Sequence, residues 1–284
     1  MSSIFLISML KSGSMNMVDA QSQLNAILLS PLILLLLTLV IYVFFFIVFY
    51  IFTRVIHKRK FISLINLDSK VNWMKILKGA SIWFIILGLF TFVSFLLSPE
   101  SYKFTFNPNT FGILLLIIIL GIPIQASFEE IFFRGYLMQG FGLLTKKPII
   151  PLLATSILFA ILHGANGVNS LINVFIVLQI LIVGLMLGII ALGENRIETA
   201  MGVHIANNMF AFLIVSSSDE VGGGLPSIFT LPPSTLPDLY MGLLTTVIAA
   251  IITLTVVFWG KKDKLFDIFR FEDAKNENNI KDSQ

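Results

Sequence analysis

Apolar runs of about 20 residues, the length that crosses a bilayer core, recur along this chain. They fall at about 27–53, 76–98, 111–144, 149–163, 170–192, 197–217 and 239–260. The pattern predicts an all-α polytopic membrane protein with about seven transmembrane helices, in the range six to eight. The uncertain division is the long run from Phe111 to Leu144, which Pro123 should break. It reads either as one span or as a short membrane entry followed by a helix that begins near Ile122.

Polar stretches set the boundaries. Residues 24–260 form one transmembrane domain, preceded by a segment, 1–23, whose short apolar run Ile4 to Leu10 suits an interfacial position better than a signal peptide. Ser216 to Pro237 holds Gly222-Gly-Gly224 and four prolines and is expected to be an irregular external loop. Residues 261–284 read as a charged, solvated cytoplasmic tail, although Leu265, Phe266, Ile268, Phe269 and Phe271 could lay a short stretch on the membrane.

Composition agrees with the pattern. Hydrophobic residues make up 56% of the chain and charged residues 12%, and mean hydropathy is +0.92, outside the range of soluble domains. Charge then orients the spans. Sixteen of the nineteen Lys and Arg fall at one end of the spans, from Arg54 to Lys78, at Lys146, Lys147 and Arg196, and from Lys261 onward. Only Lys11 and Lys103 lie at the other end, so the positive-inside rule gives a multi-pass cell-membrane protein with its N-terminus outside and its C-terminus cytoplasmic. The basic loops suit anionic lipid headgroups, and nothing in them suggests a nucleic-acid partner. The absence of cysteine excludes disulfides, thiol nucleophiles and cysteine metal sites.

One cluster of charge sits inside an apolar run: Glu129, Glu130 and Arg134, in Ala126-Ser-Phe-Glu-Glu-Ile-Phe-Phe-Arg-Gly135. Ionised groups at membrane depth cost several kcal/mol, which makes them a functional-site hypothesis. Arg134 lies about 40° around a helix from Glu130 and about 140° from Glu129. Glu130 and Arg134 can therefore pair at i,i+4, leaving Glu129 turned toward a neighbouring helix. Two carboxylates in different surroundings suit acid/base chemistry; the same three groups can also serve only as a buried network that fixes helix packing.

Of three histidines, His57 sits in the basic loop from Arg54 to Lys60 and reads as a surface residue. His163 ends Phe159-Ala-Ile-Leu-His, and His204 opens His-Ile-Ala-Asn-Asn208. Counted from the hairpin near Lys146, Glu129 and His163 are equally far along antiparallel helices, about 25 Å from the turn at 1.5 Å per residue, and can meet. His204 and Asn208 share a helix face, as do Phe159 and His163. His204 lies only about 12 Å from Arg196, shallower than the other two, unless its helix is tilted or starts late. Asn207 is a secondary candidate on the flank of that face.

Glu-Glu-x-x-x-Arg (129–134), Phe-x-x-x-His (159–163) and His-x-x-x-Asn (204–208), in this order on successive apolar segments, resemble the CAAX-protease and bacteriocin-processing family of intramembrane endopeptidases. The resemblance spans roughly Pro123 to Phe212 and places a protease-like core at about 111–217. It implies that Glu129 and His163 activate a water, that His204 and Asn208 stabilise the oxyanion, and that Glu130 and Arg134 support the site. These assignments are chemically sound, since a desolvated carboxylate can act as a general base and an imidazole and an amide can donate to an oxyanion.

Glu129, His163 and His204 could alternatively ligate a catalytic zinc. No His-Glu-x-x-His helix accompanies them, and a ligating glutamate is not a free base, so metal-independent hydrolysis is favoured. The chain lacks Gly-x-Gly-Asp and Gly-x-Ser-Gly, the marks of aspartyl and serine intramembrane proteases. The expected substrate is a membrane-associated peptide or protein, through bacteriocin or peptide processing, self-immunity or CAAX-like trimming. A non-catalytic membrane scaffold and a proton-coupled transporter are the readings from other classes.

Overall fold

The computed structural model describes residues 30–263 except 69, 146, 221, 222 and 262. The interfacial N-terminal segment, the start of the first expected span and the membrane-binding stretch of the tail lie outside these residues. Seven helices run through the described chain: α1 (Pro31–Val55), α2 (Trp73–Leu97), α3 (Pro108–Gly142), α4 (Ile149–Leu162), α5 (Ser170–Glu194), α6 (Glu198–Leu213) and α7 (Leu236–Val257). Five of them are long and apolar enough to cross a membrane; α4 has 14 residues and α6 has 16. This is an all-α, multi-pass membrane architecture.

Short polar residues start and stop these helices. The side chains of Asn72, Asn107 and Asn169 each accept from backbone N–H groups in the first turn of α2, α3 and α5, satisfying donors that the helix leaves free. Thr235 and Asp238 form a reciprocal capping box on α7. Asn195 closes α5 in the left-handed conformation, at φ 52°.

The break expected at Pro123 is absent. α3 passes through it as helix, because Gly121, Ile122, Gln125 and Ala126 are buried in the bundle and packing holds the backbone across the one missing donor. The irregularity comes later, as a widened π turn at Ile131–Leu137, directly after the acidic pair. Such turns recur at functional sites.

α6 is the central helix, with ten of its sixteen residues buried, packed against α2, α3 and α5. Its contact with α2 is backbone on backbone. A Cβ added to Gly202 would overlap the Ile76 carbonyl, and one added to Gly79 would overlap that of Thr199. In lipid, where apolar surface alone drives little association, such small-residue contacts bring helices together. Trp83, Leu187, Ile190, Val203 and Ala249 fill the core around this pair. α1 lies along α3, burying Leu39 and Phe49 while most of its large side chains stay exposed toward lipid.

At the basic end, residues 61–72 fold inward, burying Leu64, Ile65 and Asn66. Asn66 Nδ2 and the Asn72 backbone N–H donate to Glu198, the fully buried first residue of α6. α6 starts at Glu198, where its span was expected, and His204 reaches the acidic pair from there.

The opposite end is more ordered than the composition of 216–237 suggests. β1 (Lys103–Phe104), β2 (Val215–Ser217) and β3 (Phe229–Leu231) form a sheet in the order β1-β3-β2. β1 pairs antiparallel and β2 parallel to β3. Glycines and prolines shape only the turns between these short pairings.

Candidate functional site

The acidic pair sits at the junction of α3 with its π turn, and the two carboxylates differ as helix geometry requires. Arg134 donates through Nη1 to Glu130 Oε1 at 2.7 Å, both side chains being fully buried. Its Nη2 donates to the Gly184 carbonyl of α5 at 3.0 Å. The guanidinium also lies over the Phe159 ring of α4, 4.6 Å from its centroid.

Glu129 turns the other way. Its Oε1 accepts from the Tyr42 hydroxyl of α1 at 2.5 Å, and its Oε2 faces His204 Nε2 of α6 at 3.4 Å. His204 Nδ1 is 2.8 Å from Glu130 Oε1, so this imidazole bridges the two acids. One turn along α6, Asn208 donates to Gln125 of α3 at 2.9 Å. Asn207 accepts from Trp83 at 3.1 Å and donates to Asn208 at 3.1 Å, which makes it a packing residue on the flank.

His163 caps α4. Its Nδ1 donates to the Phe159 carbonyl at 2.8 Å, which leaves Nε2 as the second nitrogen of a half-buried ring. No hydrogen bond or ion pair links it to Glu129 among the described residues. The Phe159 ring instead links His163 to His204, at 4.7 Å from the one ring and 5.7 Å from the other. His57 is exposed and bonds to the Tyr136 hydroxyl at 2.9 Å, away from the cluster.

α3, α4, α5 and α6 thus bring Glu129, Glu130, Arg134, Phe159 and His204 into one buried network, with His163 and Asn208 at its edges. Tyr42, Gln125 and Gly184 complete it, and none of them belongs to a motif. Of these, Tyr42 left a trace in the sequence: a hydroxyl in the middle of an apolar span. Among the described residues no three His, Asp or Glu side chains are grouped to hold an ion.

Residues 108–210 match the family model described as type II CAAX prenyl endopeptidase, Rce1-like. The matched stretch, Rce1-like by this similarity, holds all seven motif residues and leaves out α1, α2 and α7. The chain is also 37% identical to the uncharacterized protein YyaK of Bacillus subtilis (strain 168) over 179 residues, covering 63% of this chain. It spans 60% of that relative's length. No solved structure matches.

Proposed function

We propose that this protein is an intramembrane endopeptidase that hydrolyses a membrane-associated peptide by a glutamate-activated water. One observation carries the reading. Glu129 Oε2 is buried, makes no hydrogen bond, and faces an imidazole at 3.4 Å. Glu130 Oε2 and Arg134 Nε are also unpaired, but Glu130 is tied to Arg134, so Glu129 is the acid left to act as a base. A base needs that oxygen free.

In the reaction, Glu129, assisted by His163, takes a proton from water while the water oxygen attacks the peptide carbonyl carbon. His204 and Asn208 donate to the oxyanion that forms. The carbonyl re-forms, the C–N bond breaks, and the proton held by Glu129 passes to the leaving amine. Glu130 and Arg134 keep His204 and the π turn in place. No step passes through a metal, so chelation is expected to leave the rate unchanged; a requirement for stoichiometric zinc would contradict this.

The substrate reaches the site from the bilayer or its surface. A prenylated C-terminal sequence, from the family description, and a bacteriocin or other peptide leader are the two classes to test. The basic end of the bundle faces the cytoplasm in this reading. The test compares peptides in cells carrying the wild-type chain with those in cells carrying Glu129→Gln. Loss of specific cleavage products supports the endopeptidase. An unchanged peptide set, with the biological effect intact, would favour a scaffold.

A further inference from the structure

α1 looks like a helix made only to face lipid. Leu34, Val40, Ile41, Phe44 and Ile51 are exposed along it, and the hydroxyls of Thr38 and Thr53 turn back onto their own helix, to the carbonyls of Leu34 and Phe49. Tyr42 departs from this pattern. At 1.5 Å per residue it lies about 17 Å from Pro31, near mid-span, far from the interfacial belts where tyrosine usually anchors a helix. A hydroxyl at that depth has to find a partner. On α3 it donates to Glu129 Oε1 at 2.5 Å, and the Gln125 side chain donates to the same hydroxyl.

The side chain is held for this contact by its ring. It packs edge-on against Phe128, with centroids 5.9 Å apart, and against Phe45 at 6.4 Å. The consequence falls on the other carboxylate oxygen. With Oε1 pinned from the α1 side, the carboxylate plane is fixed and Oε2 is directed at His204. A phenylalanine would fill the same space without making that choice.

We infer that Tyr42 is a positioning residue for Glu129, and that the working site joins the Rce1-like stretch to a helix outside residues 108–210. The inference rests on the reading of Glu129 as the base. Tyr42 does not touch the reacting atoms; it decides which oxygen meets them and at what angle. Orienting contacts of this kind are worth about 10- to 100-fold in rate.

The test uses the full chain in lipid vesicles, as wild type, Tyr42→Phe, Glu129→Gln and Phe46→Leu, Phe46 being an α1 residue that packs on Phe128 at 6.3 Å between ring centroids. The probes are the peptides whose cleavage disappears in Glu129→Gln cells. Tyr42→Phe is expected to lower kcat by about 10- to 100-fold with KM and thermal midpoint unchanged, and Phe46→Leu to keep kcat. Infrared spectra should show one carboxylate band shifted by Tyr42→Phe, with no such shift when Glu129→Gln is already present. A wild-type kcat for Tyr42→Phe beside an inactive Glu129→Gln would overturn the role of Tyr42 and leave the base assignment standing. Equal kcat losses in Tyr42→Phe and Phe46→Leu would also overturn it, in favour of packing. Normal cleavage by Glu129→Gln would remove the base assignment and the inference together, and the infrared shift shows whether the hydrogen bond exists apart from activity.

Discussion

Glu129 and Glu130 are neighbours in sequence with opposite surroundings, and the difference predicts opposite phenotypes. Glu130 neutralises a guanidinium that has no exposure to solvent. Glu130→Gln would leave Arg134 buried and unpaired, and breaking such a pair costs about 3–5 kcal/mol. A marked drop in the thermal midpoint of purified protein is expected, ahead of any specific effect on turnover. Glu129 is held by a phenol and faces an imidazole, so Glu129→Gln keeps its volume and is expected to leave the midpoint close to wild type. At this scale the sequence was legible where a rule of spacing applied. The i,i+4 pairing of Glu130 with Arg134 followed from about 100° per residue, as did the shared face of His204 and Asn208. Partners from distant segments were not legible: helical periodicity does not say that α1 will rest on α3, and the role of Tyr42 depends on that contact.

The arrangement of elements depends on close approach as much as on hydrophobicity. α2 and α6 meet through Gly79 and Gly202, each beneath a backbone carbonyl of the other helix. Gly202→Ala must push the helices apart and carry His204 away from the acidic pair. A loss of about 1–3 kcal/mol, typical of overpacking, should appear as a lower midpoint together with reduced cleavage. Gly88, on the same α2, has open space around it, so Gly88→Ala is the matched control and is expected to be neutral. The spans themselves were legible from apolar runs. The π turn at Ile131–Leu137 and the short strands were not, because neither has a local pattern that outweighs the packing that creates it. Pro123 was misleading for the same reason: its local preference gives way to the burial of its neighbours. The contact of His204 with both acids became clear only once α6 was packed against α3.

Across the whole molecule, the two ends are built differently. The basic end is closed by ion pairs, Lys75 with Glu194 at 2.7 Å and Arg196 with Asp68 at 2.6 Å, and the other end by the small sheet. The proposed orientation places the sheet outside the cell. The chain contains no cysteine, so single cysteines report topology without background. Ser218→Cys, exposed beside β2, is expected to react with a membrane-impermeant maleimide on intact cells. Lys58→Cys, exposed in the basic loop, is expected to react only after the membrane is opened; the reverse pattern would invert the topology. The most direct test of the account is the cleavage rate of the purified full chain in vesicles, wild type against Glu129→Gln, with thermal midpoints measured on the same samples. The account predicts that cleavage is abolished while the midpoint is retained. Wild-type cleavage by a folded Glu129→Gln protein would contradict it.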